Sequence, residues 1–203
     1  EPRVHTFFDQ STGCRSFIVA DPNSRRAIII DPILDASDSQ ISTTLADEIL
    51  GIARQHSYTI DRVLETCASC HHKSAAWYLR SQIQQMTGVA PRVNSGKSFA
   101  GVQRMFERKY GIIDAGWART FDSDFYEGQR FDLGGLPIQV WRLPGHSPDH
   151  LGFLIGRNIF VGDPSITENP DASKSDFNDE SAHLMWTSIQ RLLSLPKDFR
   201  IYT

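Results

Sequence analysis

The chain has 203 residues, enough for one domain or two small ones and for a sizeable core. Its 40% apolar and 22% charged residues are an ordinary globular composition, and its formal charge of −3, with no window dense in Lys or Arg, argues against a nucleic-acid binder. No apolar run approaches the ~20 residues needed to span a bilayer, so no membrane partner is expected. The start, Glu1-Pro2-Arg3-Val4-His5, has no signal-peptide character, though a processed leader is compatible with it. Three cysteines, with Cys67 and Cys70 close together, do not make a disulfide scaffold. A reducing, cytoplasmic setting is expected, or a mitochondrial one if a leader was removed.

In chain order, Val4 to Phe8, Ser16 to Ala20 and Arg26 to Ile30 read as short strands, punctuated by Gly13 and the turn Asp21-Pro22-Asn23-Ser24. Leu45, Ile49, Leu50 and Ile52 or Ala53 fall at helical spacing within Ile41 to His56, and Asp47 and Glu48 complement the helix dipole near its start. Ile60 to Glu65 reads as a buried strand, and Ser74 to Met86 as a helix closed by Gly88. Asn94 to Glu127 is the least regular stretch, with one helix predicted over Phe99 to Tyr110. Strands follow at Gly135 to Leu143, Leu151 to Ile155 and Asn158 to Val161. Glu180 to Leu195 is a helix stopped by Pro196, and Arg200 to Tyr202 starts a last strand. Ile28-Ile29-Ile30-Asp31-Pro32 is echoed by Ile159-Phe160-Val161-Gly162-Asp163-Pro164, suggesting an α/β layered fold of two related lobes. No linker is visible, so 1–203 is read as one domain.

Functional loops in α/β folds lie beyond the carboxyl ends of strands. Three such ends are rich in ligand atoms: Thr66-Cys67-Ala68-Ser69-Cys70-His71-His72, Pro144-Gly145-His146-Ser147-Pro148-Asp149-His150, and Gly162-Asp163-Pro164. In this order, together with Asp31-Pro32 and Glu65-Thr66, they resemble the metallo-β-lactamase superfamily, where a T-H-x-H-x-D-H motif, a P-G-H-T and a later G-D supply a metal site. Asp31-Pro-Ile-Leu-Asp35, Ile41-Ser-Thr, Ala46-Asp47-Glu48 and Ala75-Ala76-x-Tyr78-Leu79 are similar to the persulfide dioxygenase branch, close in fold to glyoxalase II. The resemblance runs from Phe7 to Tyr202. It implies an αββα sandwich: two mixed sheets face to face with helices outside.

The first motif is eroded. Aligned through Thr66 and His72, the family's two leading His positions hold Cys67 and Ser69, and its Asp position holds His71. The branch's R-C-D-F stands here as Lys174-Ser175-Asp176-Phe177, and the family's G-H-D-Y does not follow Thr203. Losing both leading His residues and the Asp of the first motif speaks against the two-metal centre of the zinc hydrolases. The persulfide dioxygenases need one iron on three protein ligands, which correspond to Cys67, His146 and Asp163. A thiolate at the first position is a competent ligand; Fe(II), the metal of the branch, is expected, although the softer site shifts the balance somewhat towards Zn(II). The resemblance therefore implies a mononuclear metal-dependent oxidoreductase acting on a thiol-derived or persulfide small molecule. In that reading His72 orients a ligand or relays a proton beside Cys67, while Lys174 and Asp176 meet the substrate and Lys174 offers a point charge to its carboxylate. A homodimer is compatible with it.

Other readings of the same residues stay open. One is a repurposed hydrolase or lyase acting on a thioester, a lactone or another sulfur-containing molecule; another is a metal-free binding protein that keeps only the cleft. Cys67 reads equally as a small buried hydrophobe, His146 and Asp163 as turn caps. Cys67 also reads as a nucleophile with His72 or His146 as its base. Cys67-x-x-Cys70-His71 matches a redox pair or a haem c attachment pattern, but nothing else in the chain supports either.

Overall fold

The computed structural model describes residues 1–10, 12–37, 40–67, 73–96, 123–162 and 180–203. Six strands form a first sheet in the order β1 (Arg3–Phe8), β2 (Arg15–Ala20), β3 (Arg26–Ile30), β6 (Thr59–Leu64), β8 (Arg92–Gly96) and β9 (Ser123–Phe125). β1, β2 and β3 pair antiparallel, and β3, β6, β8 and β9 pair parallel. A second sheet runs β10 (Arg130–Leu133), β11 (Leu136–Arg142), β12 (Leu151–Ile155), β13 (Asn158–Phe160) and β14 (Arg200–Tyr202), all antiparallel until the parallel β13–β14 pair. A small sheet, β5 (Gln40–Ser42), β4 (Ile33–Ser37) and β7 (Lys73–Ser74), sits beside the first. The helices are α1 (Thr44–Gln55), α2 (Ala76–Thr87) and α3 (Glu180–Leu193).

The layering follows from alternation along the strands. In β2 and β3, Ile18, Ala20, Ala27 and Ile29 face outward onto Leu45, Ile49 and Leu50 of α1 and Leu79 and Ile83 of α2. Their neighbours Phe17, Val19, Ile28 and Ile30 face inward onto Ile138, Val140, Phe153 and Phe160 of the second sheet. A sheet buried on both faces needs near-continuous apolar strands, which is what Phe17 to Ala20 and Ala27 to Ile30 supply. The second sheet turns Ile159 the other way, against Met185 and Leu192 of α3. The order helix, sheet, sheet, helix is the αββα sandwich expected from the sequence.

Differences from the sequence reading have local causes. The first helix starts at Thr44, not Ile41, because Gln40–Ser42 pairs with β4. The Thr43 hydroxyl donates to Asp47 Oδ2 at 2.8 Å and caps no backbone N–H. Ser74 belongs to β7, and α2 runs Ala76–Thr87 to a left-handed Gly88 at φ +77°. α3 stops at Leu193. β4, β5, β7, β8, β9 and β10 were not anticipated. β8, for example, has one large apolar residue, Val93, and is a strand because it pairs with β6. The helix expected over Phe99 to Tyr110 lies outside the described residues.

Candidate functional site

Three strand ends converge at one edge of the sandwich. Asp31 follows β3 in a left-handed conformation (φ +49°), which Asp tolerates better than most residues. Its carboxylate accepts the Thr66 backbone N–H at 2.7 Å and the Thr66 hydroxyl at 2.8 Å, tying the end of β3 to that of β6. Gly162, after β13, has φ +72°, and a Cβ there would overlap Thr66 Oγ1 and lie 2.5 Å from Asp31 Oδ2. The third end is thus pressed onto the first two, at a contact only glycine permits.

The Pro144-Gly145-His146-Ser147-Pro148-Asp149 loop bridges these ends. It closes on itself through Leu143 N to His150 O at 2.9 Å, and it joins β6 through Leu151 N to Thr66 O at 2.7 Å. His150 Nε2 donates to the Val161 carbonyl at 2.7 Å, which fixes the loop to β13. On its outer side Ser188 of α3 donates to the Pro144 carbonyl at 2.7 Å. At Gly145 (φ +142°) a Cβ would come 2.5 Å from Met185 Cβ.

Into this frame the structure sets two of the three expected ligands. Cys67 is 2% exposed, and its sulfur lies 3.1 Å from Ser147 Oγ. His146, the residue before Ser147, is buried, with its ring 5.9 Å from that of His150. Cys67 and His146 therefore stand on adjacent loops. Asp163, His71, His72, Lys174 and Asp176 lie outside the described residues, and among the described residues no three His, Cys, Asp or Glu side chains form a metal-holding group. The buried thiol and buried imidazole are donor types that suit a divalent metal ion, and a carboxylate residue follows Gly162 in the sequence. The burial of Cys67 also matches its reading as a packing residue.

The edge is notably polar for an interior. Asp31, Glu65, Thr66, Asn94, Ser95, Ser147, Asp149 and His150 are all buried there. Ser74 donates to Glu65 at 2.5 Å, Glu65 N donates to the Asn94 carbonyl, and Gly96 packs on the Asp149 backbone. Buried polar groups are costly unless partnered, so such a concentration marks a built site. The sequence reading placed Ser147, Asp149 and His150 in a ligand-rich strand end but gave them no supporting role, and it missed Asn94.

No family model matches the chain. It is 33% identical over 205 residues to the beta-lactamase hydrolase-like protein of Xylella fastidiosa, covering all of this chain and 46% of that protein. Over 194 residues it is 21% identical to human mitochondrial persulfide dioxygenase ETHE1, covering 92% of this chain and 61% of that one. The crystal structure of ETHE1 from Myxococcus xanthus superposes with a TM-score of 0.72 at 22% identity, covering 98% of this chain and 74% of that chain. The fold is the metallo-β-lactamase fold. The likeness to these relatives supports the resemblance to the metallo-β-lactamase superfamily and its persulfide dioxygenase and glyoxalase II-like branch. The chain spans about half the length of its curated relative from Xylella.

Proposed function

We propose that Cys67, His146 and Asp163 hold one divalent metal, Fe(II) in preference to Zn(II), in an oxidoreductase acting on a thiol-derived persulfide. The observation that carries this reading is the placement of buried Cys67 beside the His146-Ser147 loop, at strand ends locked together through Asp31, Thr66 and Gly162. The balanced reaction takes one persulfide, one O₂ and one water to a thiol, sulfite and two protons. When bound, the metal supplies open coordination positions for the persulfide sulfur and O₂. The chain's own residues do the rest. Ser147 orients the Cys67 sulfur, and His150 holds the loop against β13. His72 orients a ligand or relays a proton, while Lys174 and Asp176 receive the substrate's polar end. Lys174 in place of arginine gives no bidentate clamp, so the substrate differs from plain glutathione persulfide.

The test is iron and zinc content per chain after anaerobic purification, followed by oxygen consumption with a panel of persulfides. Cys67→Ser should lower metal content at least tenfold, and Ser69→Ala should leave it unchanged. Full metal in Cys67→Ser, or alkylation of Cys67 at the same rate with and without metal, would make the cysteine a packing residue and end this ligand set. A second reading, a metal-dependent hydrolase or lyase of a thioester or lactone, draws on the hydrolase-like name of the Xylella relative. Metal present with no oxygen consumed, but with thioester cleaved, would select it. A chain that binds neither metal would be a binding protein.

A further inference from the structure

At the opposite end of the first sheet lies a second concavity of about 1070 Å³. It opens where β3 and β6 begin, at Arg26 and Thr59, beneath the C-terminal ends of α1 and α2. This volume is at the upper end of the ~300–1,000 Å³ usual for small-molecule sites, and it is far larger than a lone oxyanion needs.

Its charge is unusual for a chain of net charge −3: four arginines, Arg26, Arg54, Arg62 and Arg92, line it against Asp61 and Asp132. Arg26 is satisfied by Asp61 at 2.7 Å. The other three are not matched in this way. Arg62 and Arg92 are register partners on the adjacent strands β6 and β8, where like charges destabilise each other. Arg62 is held over the Phe131 ring at 5.0 Å and donates to Asn94 Oδ1 at 3.1 Å. Burial first, and the Arg92 charge second, lower its affinity for its proton. Arg92 makes no side-chain hydrogen bond or ion pair among the described residues. Among the described residues the Arg54 guanidinium donates only to the Met86 sulfur, at 2.9 and 3.1 Å, a weak acceptor for a fork that suits phosphate. Beside the arginines the wall is apolar and open, with Met86 and Val89 exposed.

We propose that this concavity binds a phosphate-bearing small molecule of nucleotide size, its phosphates among Arg54, Arg62 and Arg92 and its apolar part against Met86 and Val89. Such a ligand would add to the negative charge that Asp61 alone brings to Arg62, supply it to Arg54 and Arg92, and relieve the Arg62–Arg92 repulsion. The large volume and the apolar wall favour an amphipathic phosphate ester over a bare anion.

The experiment is titration calorimetry of the full chain with ATP, pyrophosphate and citrate, at low salt and again at about 0.3 M salt. ATP and pyrophosphate should bind once per chain, more weakly at high salt, with ATP tighter and citrate weakest. Arg54→Ala and Arg92→Ala should each weaken ATP binding about tenfold or more. Arg92→Ala should also leave the thermal midpoint of the ligand-free protein unchanged or raised, because a like-charge neighbour has gone. Absence of ATP binding to the folded wild type overturns the proposal, as does citrate binding as tight as ATP. Binding that survives in Arg92→Ala but is lost in Cys67→Ser would assign the ligand to the strand-end site and overturn it as well.

Discussion

Gly162→Ala tests the convergence of the strand ends. The added Cβ would overlap Thr66 Oγ1 and lie 2.5 Å from Asp31 Oδ2 at a backbone φ of +72°. Left-handed strain costs about 1–2 kcal/mol, overpacking about 1–3 kcal/mol, and loosening a buried charge-assisted hydrogen bond about 1–3 kcal/mol. Together these reach about 3–8 kcal/mol, a large share of the ~5–15 kcal/mol that holds a typical domain together. For a chain of this size the thermal midpoint should fall by roughly 6–30 °C. Gly13→Ala is the control: its φ is +73° but nothing lies within 4 Å of the added Cβ, so it carries the backbone term alone. Urea and thermal unfolding followed by circular dichroism give both values. Thr66→Ala in the Gly162→Ala background should recover part of the loss, since it removes the nearest overlapped atom. If Gly162→Ala costs no more than Gly13→Ala, the strand ends are not pressed together and the account of the site's rigidity is wrong.

Asp21 joins the turn before β3 to Gly135 and Ser24, and the Gly135 N–H above all, then the Ser24 hydroxyl, lower its pKa to about 2. Because the folded value is below the unfolded one, its contribution is complete above about pH 4 and is lost as the pH falls towards 2. Asp21→Asn should therefore flatten the acid limb of a stability-versus-pH curve over that window; an unchanged limb would refute the assignment. Gly145→Ala would push a Cβ into the Met185 backbone of α3 and should destabilise by about 3 kcal/mol or more in urea, whereas a neutral result would mean the loop is not clamped by the helix.

The two-sided burial of β2 and β3 was legible because four consecutive apolar residues in each leave no solvent face. β12 was read to the residue for the same local reason, an apolar run closed by the Gly156 turn. β8 was not, since Arg92-Val93-Asn94-Ser95-Gly96 has no period of its own and is extended by pairing with a distant strand. At the candidate site, Cys67 and His146 were found through the order of motifs along the chain. Their contact through Ser147 could not be, because it depends on residues 80 positions apart meeting across the strand ends. The arginine cavity was likewise invisible: its charges come from four separate segments whose local windows are unremarkable in Lys and Arg.

α3 rests on the smallest of the three apolar clusters among the described residues, Leu143, Ile159 and Val161 meeting Met185 and Leu192. A layer docked by so little surface opens more often than the rest of the sandwich, so its amides should exchange with solvent deuterium ahead of those in β2, β3 and β12. Each opening also releases Pro144 and Gly145 from Ser188 and Met185. Whatever binds the adjoining loop more tightly when the helix is docked must slow that exchange, by the same factor that docking improves its binding. The exchange rate of one helix thus serves as a gauge of occupancy at a site it does not itself line.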